Sequence, residues 1–162
     1  MTKVLVVCTG NICRSPMGEI VLAEQAAARG IELEVDSAGI SAEETGNPVD
    51  SRARRVLEAS GYRVPRRAAR QVRRGELQDY DLVLAMTAQH QSALRRRAES
   101  EGAPTERIRL WREFDPAAPK LSDGARPSEL DVADPWYGGH EDFVEALEMV
   151  EAAIDGILAE LG

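Results

Sequence analysis

Four short runs of aliphatic and β-branched residues, each followed by a stretch of helical period, constrain the fold of this chain more than any other feature. "KVLVVC" (Lys3–Cys8), "LEVDS" (Leu33–Ser37), "YDLVLAM" (Tyr80–Met86) and "RIRLW" (Arg107–Trp111) read as strands. "PMGEIVLAEQAAARG" (Pro16–Gly30) reads as a helix stopped by Gly30, and Asp50–Gly61 as a helix with a polar start and a glycine stop. A third helix runs from Thr87, its expected cap, to Gly102. The last is expected from about Glu141 to Leu161, where Phe143, Leu147, Val150, Ile154, Leu158 and Leu161 recur at spacings of three and four along one buried face. Strands alternating with helices predict an α/β fold with a parallel sheet.

At 162 residues and 43% hydrophobic content, one domain spanning 1–162 can bury its own core. Val4–Val7 is too short for the apolar core of a signal peptide and no run approaches membrane-spanning length, so a soluble, cytoplasmic protein is expected. Two cysteines without secretory context argue against a disulfide scaffold. A net charge of −8 argues against nucleic-acid or membrane-surface partners, and an anionic substrate would need a locally positive site.

Two stretches, Gly39–Val49 and Glu113–Gly139, are too polar and too rich in Pro, Gly and Asp for regular elements. The second ends in an aromatic cluster that favours order there. The arginines at 52, 54, 55, 66, 67, 70, 73, 74 and 95–97 mostly fall on helix faces and read as solvated surface. His90 and His140 lie near no cysteine-rich pattern, so surface or capping roles are expected and no metal site.

"CTGNICRS" (Cys8–Ser15) leaves the first strand and enters a helix with Pro16 in its first turn and Ser15 as expected N-cap. Backbone N–H groups of such a loop point inward and the helix dipole adds positive potential, which suits phosphate. Thiols at helix N-termini reach pKa values of roughly 3.5–7.5 against ~8.5 when free, so Cys8 is the candidate nucleophile. Arg14 supplies a planar fork for two phosphate oxygens. Thr9, Gly10, Asn11, Ile12, Cys13, Arg14 and Ser15 then form one phosphate-binding loop, and Ser15 can hydrogen-bond the sulfur. This predicts phosphoryl transfer to Cys8 followed by hydrolysis of a phosphocysteine. A buried, inert thiol is the competing reading of a lone cysteine, and the spacing to Arg14 and Ser15 weighs against it.

The departing oxygen needs a proton, and "VADPWYGG" offers Asp134. Pro135 holds its backbone extended, and Trp136 and Tyr137 are expected to limit water access to the carboxyl. Asp115-Pro116 offers the same dipeptide in the same loop.

"VCTGNICRSPMGE", "DSAG" and "DPWYGG" together resemble the low-molecular-weight protein tyrosine phosphatase family over essentially the whole chain, in consistent order. The resemblance implies a Rossmann-like three-layer sandwich with a four-stranded parallel sheet flanked by helices, and no metal or cofactor. It also implies nucleophile Cys8, phosphate-binding Arg14, general acid Asp134, and Asn11 and Ser15 as loop organisers. Trp136 and Tyr137 would line the substrate cleft, and Cys13 would form a protective disulfide with Cys8 under oxidation. The implied partner is a phosphorylated protein, with the enzyme a monomer or weakly self-associating.

The departures bear on the substrate. Glu43 and Glu44 stand where the family usually carries an aromatic-His pair, Arg67 where a His is frequent, and Met86-Thr87 where Met-Asp is usual. "LVLAMTAQH" is similar to a related branch, the bacterial protein-arginine phosphatases, which typically carry Thr in place of Ile12. Ile12 suits a phenyl ring and, with Trp136-Tyr137, favours phosphotyrosine over phosphoarginine. Arsenate reductases of this fold use further downstream cysteines that this chain lacks. A catalytically silent phospho-ligand binding module is the remaining alternative. It would need neither the nucleophile nor the acid.

Overall fold

The computed structural model describes residues 1–162. Strands β1 (Thr2–Cys8), β2 (Leu33–Gly39), β3 (Leu82–Ala85) and β4 (Ile108–Leu110) form one parallel sheet in the order β2-β1-β3-β4. The helices are α1 (Arg14–Ala28), α2 (Ser51–Ala59), α3 (Ala88–Glu101), α4 (His140–Ala152) and α5 (Ile154–Leu161).

Strand alternation divides the core. Val4, Val6, Leu82 and Leu84 face a layer built from α1, α2, α4 and α5, with Met17, Leu57, Phe143 and Ile157 buried there. Leu5, Val7, Val83 and Ala85 face the other way, where α3 contributes Leu94 and Ala98 and the chain before β3 contributes Leu77 and Tyr80. Both faces of the sheet are covered, which is why its central strands β1 and β3 read as nearly unbroken apolar runs, while the edge strands β2 and β4 carry charged residues.

Packing on the first face aims α1. A Cβ on Gly18 would stand 2.8 Å from Met86 Cε and 3.0 Å from Val6 Cγ1, so only glycine lets the helix lie this close to the sheet. The order reverses between β1 and β3, and the crevice at the carboxyl ends of those two strands is where parallel α/β sheets bind ligands. The loop after β1 and the first turn of α3 meet there. No helix is long and apolar enough to cross a membrane.

Two expectations need correction. The expected last helix divides at Ala153, yet Phe143, Leu147, Val150, Ile154 and Leu158 all stay buried, so the apolar period passes through the break unchanged. Past the break, Gly156 lies directly against the Phe114 carbonyl, where a Cβ would be 2.1 Å from the oxygen. Residues 113–139 are also less irregular than their composition suggests. They contain short 3-10 turns at Leu121–Asp123 and Pro127–Leu130, and Leu130 and Val132 are buried as anchors.

Candidate active site

The loop from Thr9 to Cys13 closes around the N-terminus of α1. Ser15 is not the cap. The helix begins at Arg14, no side chain caps it, and its first amides are left to the loop's interior. Ser15 instead turns back to Cys8, with Oγ 3.0 Å from Sγ. Asn11 Nδ2 donates to the same Ser15 Oγ at 2.9 Å, which leaves the Ser15 hydrogen for the sulfur.

Asn11 is the one non-glycine residue at positive φ, +61°, a left-handed conformation that costs about 1–2 kcal/mol and must be held. It is fully buried and fully hydrogen-bonded. Nδ2 also donates to Ser37 Oγ at 2.9 Å, while Oδ1 accepts from Arg67 Nη2 at 2.8 Å and from the Arg70 amide at 3.0 Å. Arg67 further pairs with Glu19 at 3.4 Å, and Ser37 Oγ donates to Glu19 as well. Burial pushes the Glu19 carboxyl up from its ordinary range, against the opposing pull of Ser37 and Arg67. Arg70 binds Glu76 and Asp36 at 2.6 and 2.9 Å. The solvated-surface reading therefore fails for Arg67 and Arg70. They brace the loop from behind.

Strand β2 approaches the loop at Gly39, where a Cβ would lie 2.6 Å from the Thr9 carbonyl oxygen. Cys8 and Gly39 are register partners, so a side chain at 39 would push the loop off the strand end.

Arg14 is 5% exposed. Its Nη1 donates to the Val132 carbonyl at 2.9 Å, and Nη2 faces Asp134 Oδ2 at 3.5 Å. Asp134 Oδ1 accepts from the Trp136 amide at 3.0 Å. The expected shielding of this carboxyl is not present: the Asp134 side chain is 47% exposed, and Tyr137 beside it is almost wholly exposed. Asp115, the alternative acid, is buried and receives the Ala117 amide at 2.8 Å, a turn-forming role away from the cleft.

A cleft of about 210 Å³ opens over the loop. Cys8, Thr9, Gly10, Ile12, Cys13 and Arg14 form its floor, Asp134, Trp136 and Tyr137 one wall, and Ser41, Glu43 and Glu44 the other. Glu44 lies against Gly10, where a Cβ would be 3.0 Å from its Cγ. Asn11 and Ser15 lie beneath the floor as its supports. Both cysteines are free thiols, and burial pushes Cys13 far up, with Asp50 and Cys8 acting in the same direction.

His90 departs most from its expected surface or capping role. It is 4% exposed, and its Nε2 lies 2.8 Å from Thr9 Oγ1. Burial, reinforced by the Arg14 charge, pushes it down to about 4, so the ring is neutral. Thr87 caps α3 as expected, accepting the His90 amide at 3.2 Å. His140, by contrast, is exposed at the start of α4. The solvated-surface reading fails for Arg52 as well: its guanidinium carbon lies 5.1 Å from the centre of the Trp136 ring and 4.6 Å from that of Phe143.

The arrangement offers a thiol at a helix N-terminus, a guanidinium fork and a carboxyl within one cleft, a combination suited to transfer of an anionic phosphoryl group. The model of the family described as low molecular weight phosphotyrosine protein phosphatase matches residues 3–162. The chain belongs to this family. A low molecular weight protein-tyrosine-phosphatase of Streptomyces coelicolor is 44% identical, covering 97% of this chain and 92% of its own. The low molecular weight protein-tyrosine-phosphatase YfkJ of Bacillus subtilis is 35% identical over 99% of this chain and 96% of its own. The crystal structure of YfkJ superposes with a TM-score of 0.86 at 32% identity, covering 99% of this chain and 94% of that one. A protein tyrosine phosphatase of Entamoeba histolytica does so with 0.86 at 28% identity, covering 99% and 97%. The phosphatase family and the four-stranded parallel sandwich thus match the expectations from sequence. The family assignment also implies phosphoprotein substrates.

Proposed function

We propose that this phosphatase hydrolyses phosphotyrosine in proteins through a phosphocysteine, using Cys8 as nucleophile, Arg14 as phosphate clamp and Asp134 as general acid. The observation that carries the reading is the convergence of Cys8 Sγ, Ser15 Oγ and the uncapped start of α1 beneath Arg14 and Asp134. The nucleophile is the Cys8 thiolate. Phosphate oxygens occupy the Gly10–Arg14 amides and the Arg14 fork, releasing Asp134 from that fork at the cleft mouth. Sulfur attacks phosphorus as the P–O bond breaks, and the tyrosyl oxygen leaves with the proton of Asp134. Water then attacks the phosphocysteine, gives its proton to the Asp134 carboxylate, and releases phosphate as the Ser15 hydroxyl receives the departing thiolate.

Ile12 at the floor and Trp136 at the wall offer apolar surface to an aryl leaving group, and this favours phosphotyrosine over phosphoarginine. In this reading residues 1–162 act as one cytoplasmic phosphatase domain, monomeric or weakly self-associating, and Cys13 serves as redox partner of Cys8. The test is hydrolysis of matched phosphotyrosine and phosphoarginine peptides, with Cys8→Ser as control. Faster phosphotyrosine turnover that Cys8→Ser abolishes is expected. Faster phosphoarginine turnover would overturn the substrate, and activity retained by Cys8→Ser would overturn the nucleophile.

A further inference from the structure

Arg52 lies in the first turn of α2, far in sequence from both the phosphate-binding loop and the acid loop, and it takes no part in the chemical steps. Its guanidinium nevertheless connects the two loops. On one side, Nε and Nη2 bind the two oxygens of Asp50 at 3.2 and 3.1 Å. The Asp50 amide in turn donates to the Ile12 carbonyl at 2.9 Å, which fixes the pair to the phosphate-binding loop. On the other side, Nη1 donates to the Trp136 carbonyl at 3.0 Å and reaches the Gly138 carbonyl at 3.5 Å.

Stacking reinforces these bonds. The guanidinium carbon lies 4.6 Å from the centre of the Phe143 ring and 5.1 Å from that of Trp136. Phe143 is fully buried, so it gives the guanidinium a fixed backing, and Trp136, which lines the cleft, packs against the same guanidinium. The Trp136 amide holds Asp134 Oδ1, and therefore one residue joins Arg52 to the acid.

The rest of the acid loop has few external ties. Between Val132 and Gly139, the partners from outside the loop and its following helix are Arg14, on Asp134, and Arg52, on Trp136 and Gly138. Substrate phosphate takes Arg14 away. Beside the buried Pro135 and the Val132 amide bond to the Met86 carbonyl, Arg52 is then the side-chain tether that remains on residues 133–138 at the moment of proton transfer.

We propose that Arg52 is a positioning residue that sets Asp134 and the Trp136 ring against the phosphate-binding loop. The inference rests on Asp134 being the general acid. Lysine cannot substitute, because an ammonium lacks the planar fork that holds both Asp50 oxygens, donates to the Trp136 carbonyl and packs against two aromatic rings at once.

The experiment compares kcat/KM, which covers the steps up to departure of the leaving group and leaves out the phosphocysteine hydrolysis common to both substrates, on p-nitrophenyl phosphate, whose leaving group hardly needs a proton, and on phenyl phosphate, whose leaving group does. Parent, Arg52→Met, Arg52→Lys, Asp134→Asn and the Arg52→Met/Asp134→Asn double variant are measured. Both Arg52 variants should lose roughly tenfold more on phenyl phosphate than on p-nitrophenyl phosphate. The double variant should lose no more on phenyl phosphate than Asp134→Asn alone.

The p-nitrophenyl phosphate rate reports whether the Cys8 loop is intact. Should Arg52→Met fail to fold, Arg52→Lys, which keeps a cation beside Asp50, carries the comparison. Equal losses on both substrates, no loss, or additive losses in the double variant would overturn the proposal. If Asp134→Asn shows the leaving-group bias and the Arg52 variants do not, only this proposal falls. If Asp134→Asn shows no bias, the acid assignment fails and this inference fails with it.

Discussion

Thr9 Oγ1 and His90 Nε2 lie 2.8 Å apart, joining the loop after β1 to the first turn of α3 across the crevice where the strand order reverses. His90 Nδ1 is buried without a partner. A buried N–H lacking an acceptor is the rarer and costlier arrangement, so the proton belongs on Nε2, which donates to Thr9. The Thr9 hydroxyl hydrogen is then free to point into the cleft that Thr9 lines.

The same contact predicts how stability varies with pH. His90 is held down at about 4, against an ordinary value of 6.5. Below pH 6.5 the unfolded chain takes up a proton that the folded chain refuses, so this contribution is intact above 6.5 and is lost as pH falls toward 4. Between pH 7 and pH 5 the expected loss is about 2 kcal/mol, read from urea unfolding. Asp50 and Glu76, both held low, add their own losses only below about pH 4.5. His90→Gln should flatten the curve between pH 5 and 7. An unchanged slope would mean that His90 titrates normally in the folded state.

The placement of the candidate site was legible where its residues are contiguous. Cys8 to Ser15 form a strand end, a loop and a helix start, so local sequence carries most of their geometry. The place of Asp134 beside the loop was legible in the Asp-Pro-aromatic stretch, while the shielding expected of those aromatics is absent. Arg52, Arg67 and His90 were not legible, because charged or polar residues in helices, as at 52 and 90, or in a polar irregular stretch, as at 67, carry the pattern of a solvated surface whether they meet water or another loop. Only closure of the sheet brings His90 to Thr9 and Arg67 to Asn11. The break at Ala153 was invisible for a related reason: periodicity records which face is buried, and that face does not change.

Arg14 is predicted to be irreplaceable by lysine. Its fork spans the Val132 carbonyl and Asp134, and both donors must turn to phosphate oxygens. Arg14→Lys keeps the charge and loses the fork, so kcat/KM should fall about 10²–10³-fold with folding unaffected. Loss confined to KM would show that Arg14 binds the ground state and the transition state alike.

Arg67 should stabilise the fold as well as the loop. Arg67→Ala leaves the half-buried Glu19 without its cation and removes two donors from Asn11, at an expected cost of about 2–3 kcal/mol in urea unfolding. In a Glu19→Gln background the cost should be smaller, because the uncompensated charge is gone. Equal costs in both backgrounds would place the effect in Asn11 alone.

Oxidation should separate the two thiols. Burial holds Cys13 protonated, so peroxide and iodoacetate at neutral pH should modify Cys8 first, as peptide mapping would record. Peroxide converts the Cys8 thiolate to a sulfenic acid, and the Cys13 thiol then condenses with it, forming the disulfide and releasing water. Activity lost to peroxide should therefore return with a thiol reductant, and Cys13→Ala should be irreversibly inactivated faster. The protonated state of Cys13 slows its attack, so raising the peroxide concentration should inactivate a growing fraction of the parent enzyme beyond recovery. Full recovery of Cys13→Ala would show that another group protects Cys8, as a backbone nitrogen does when it condenses with a sulfenic acid to a sulfenamide.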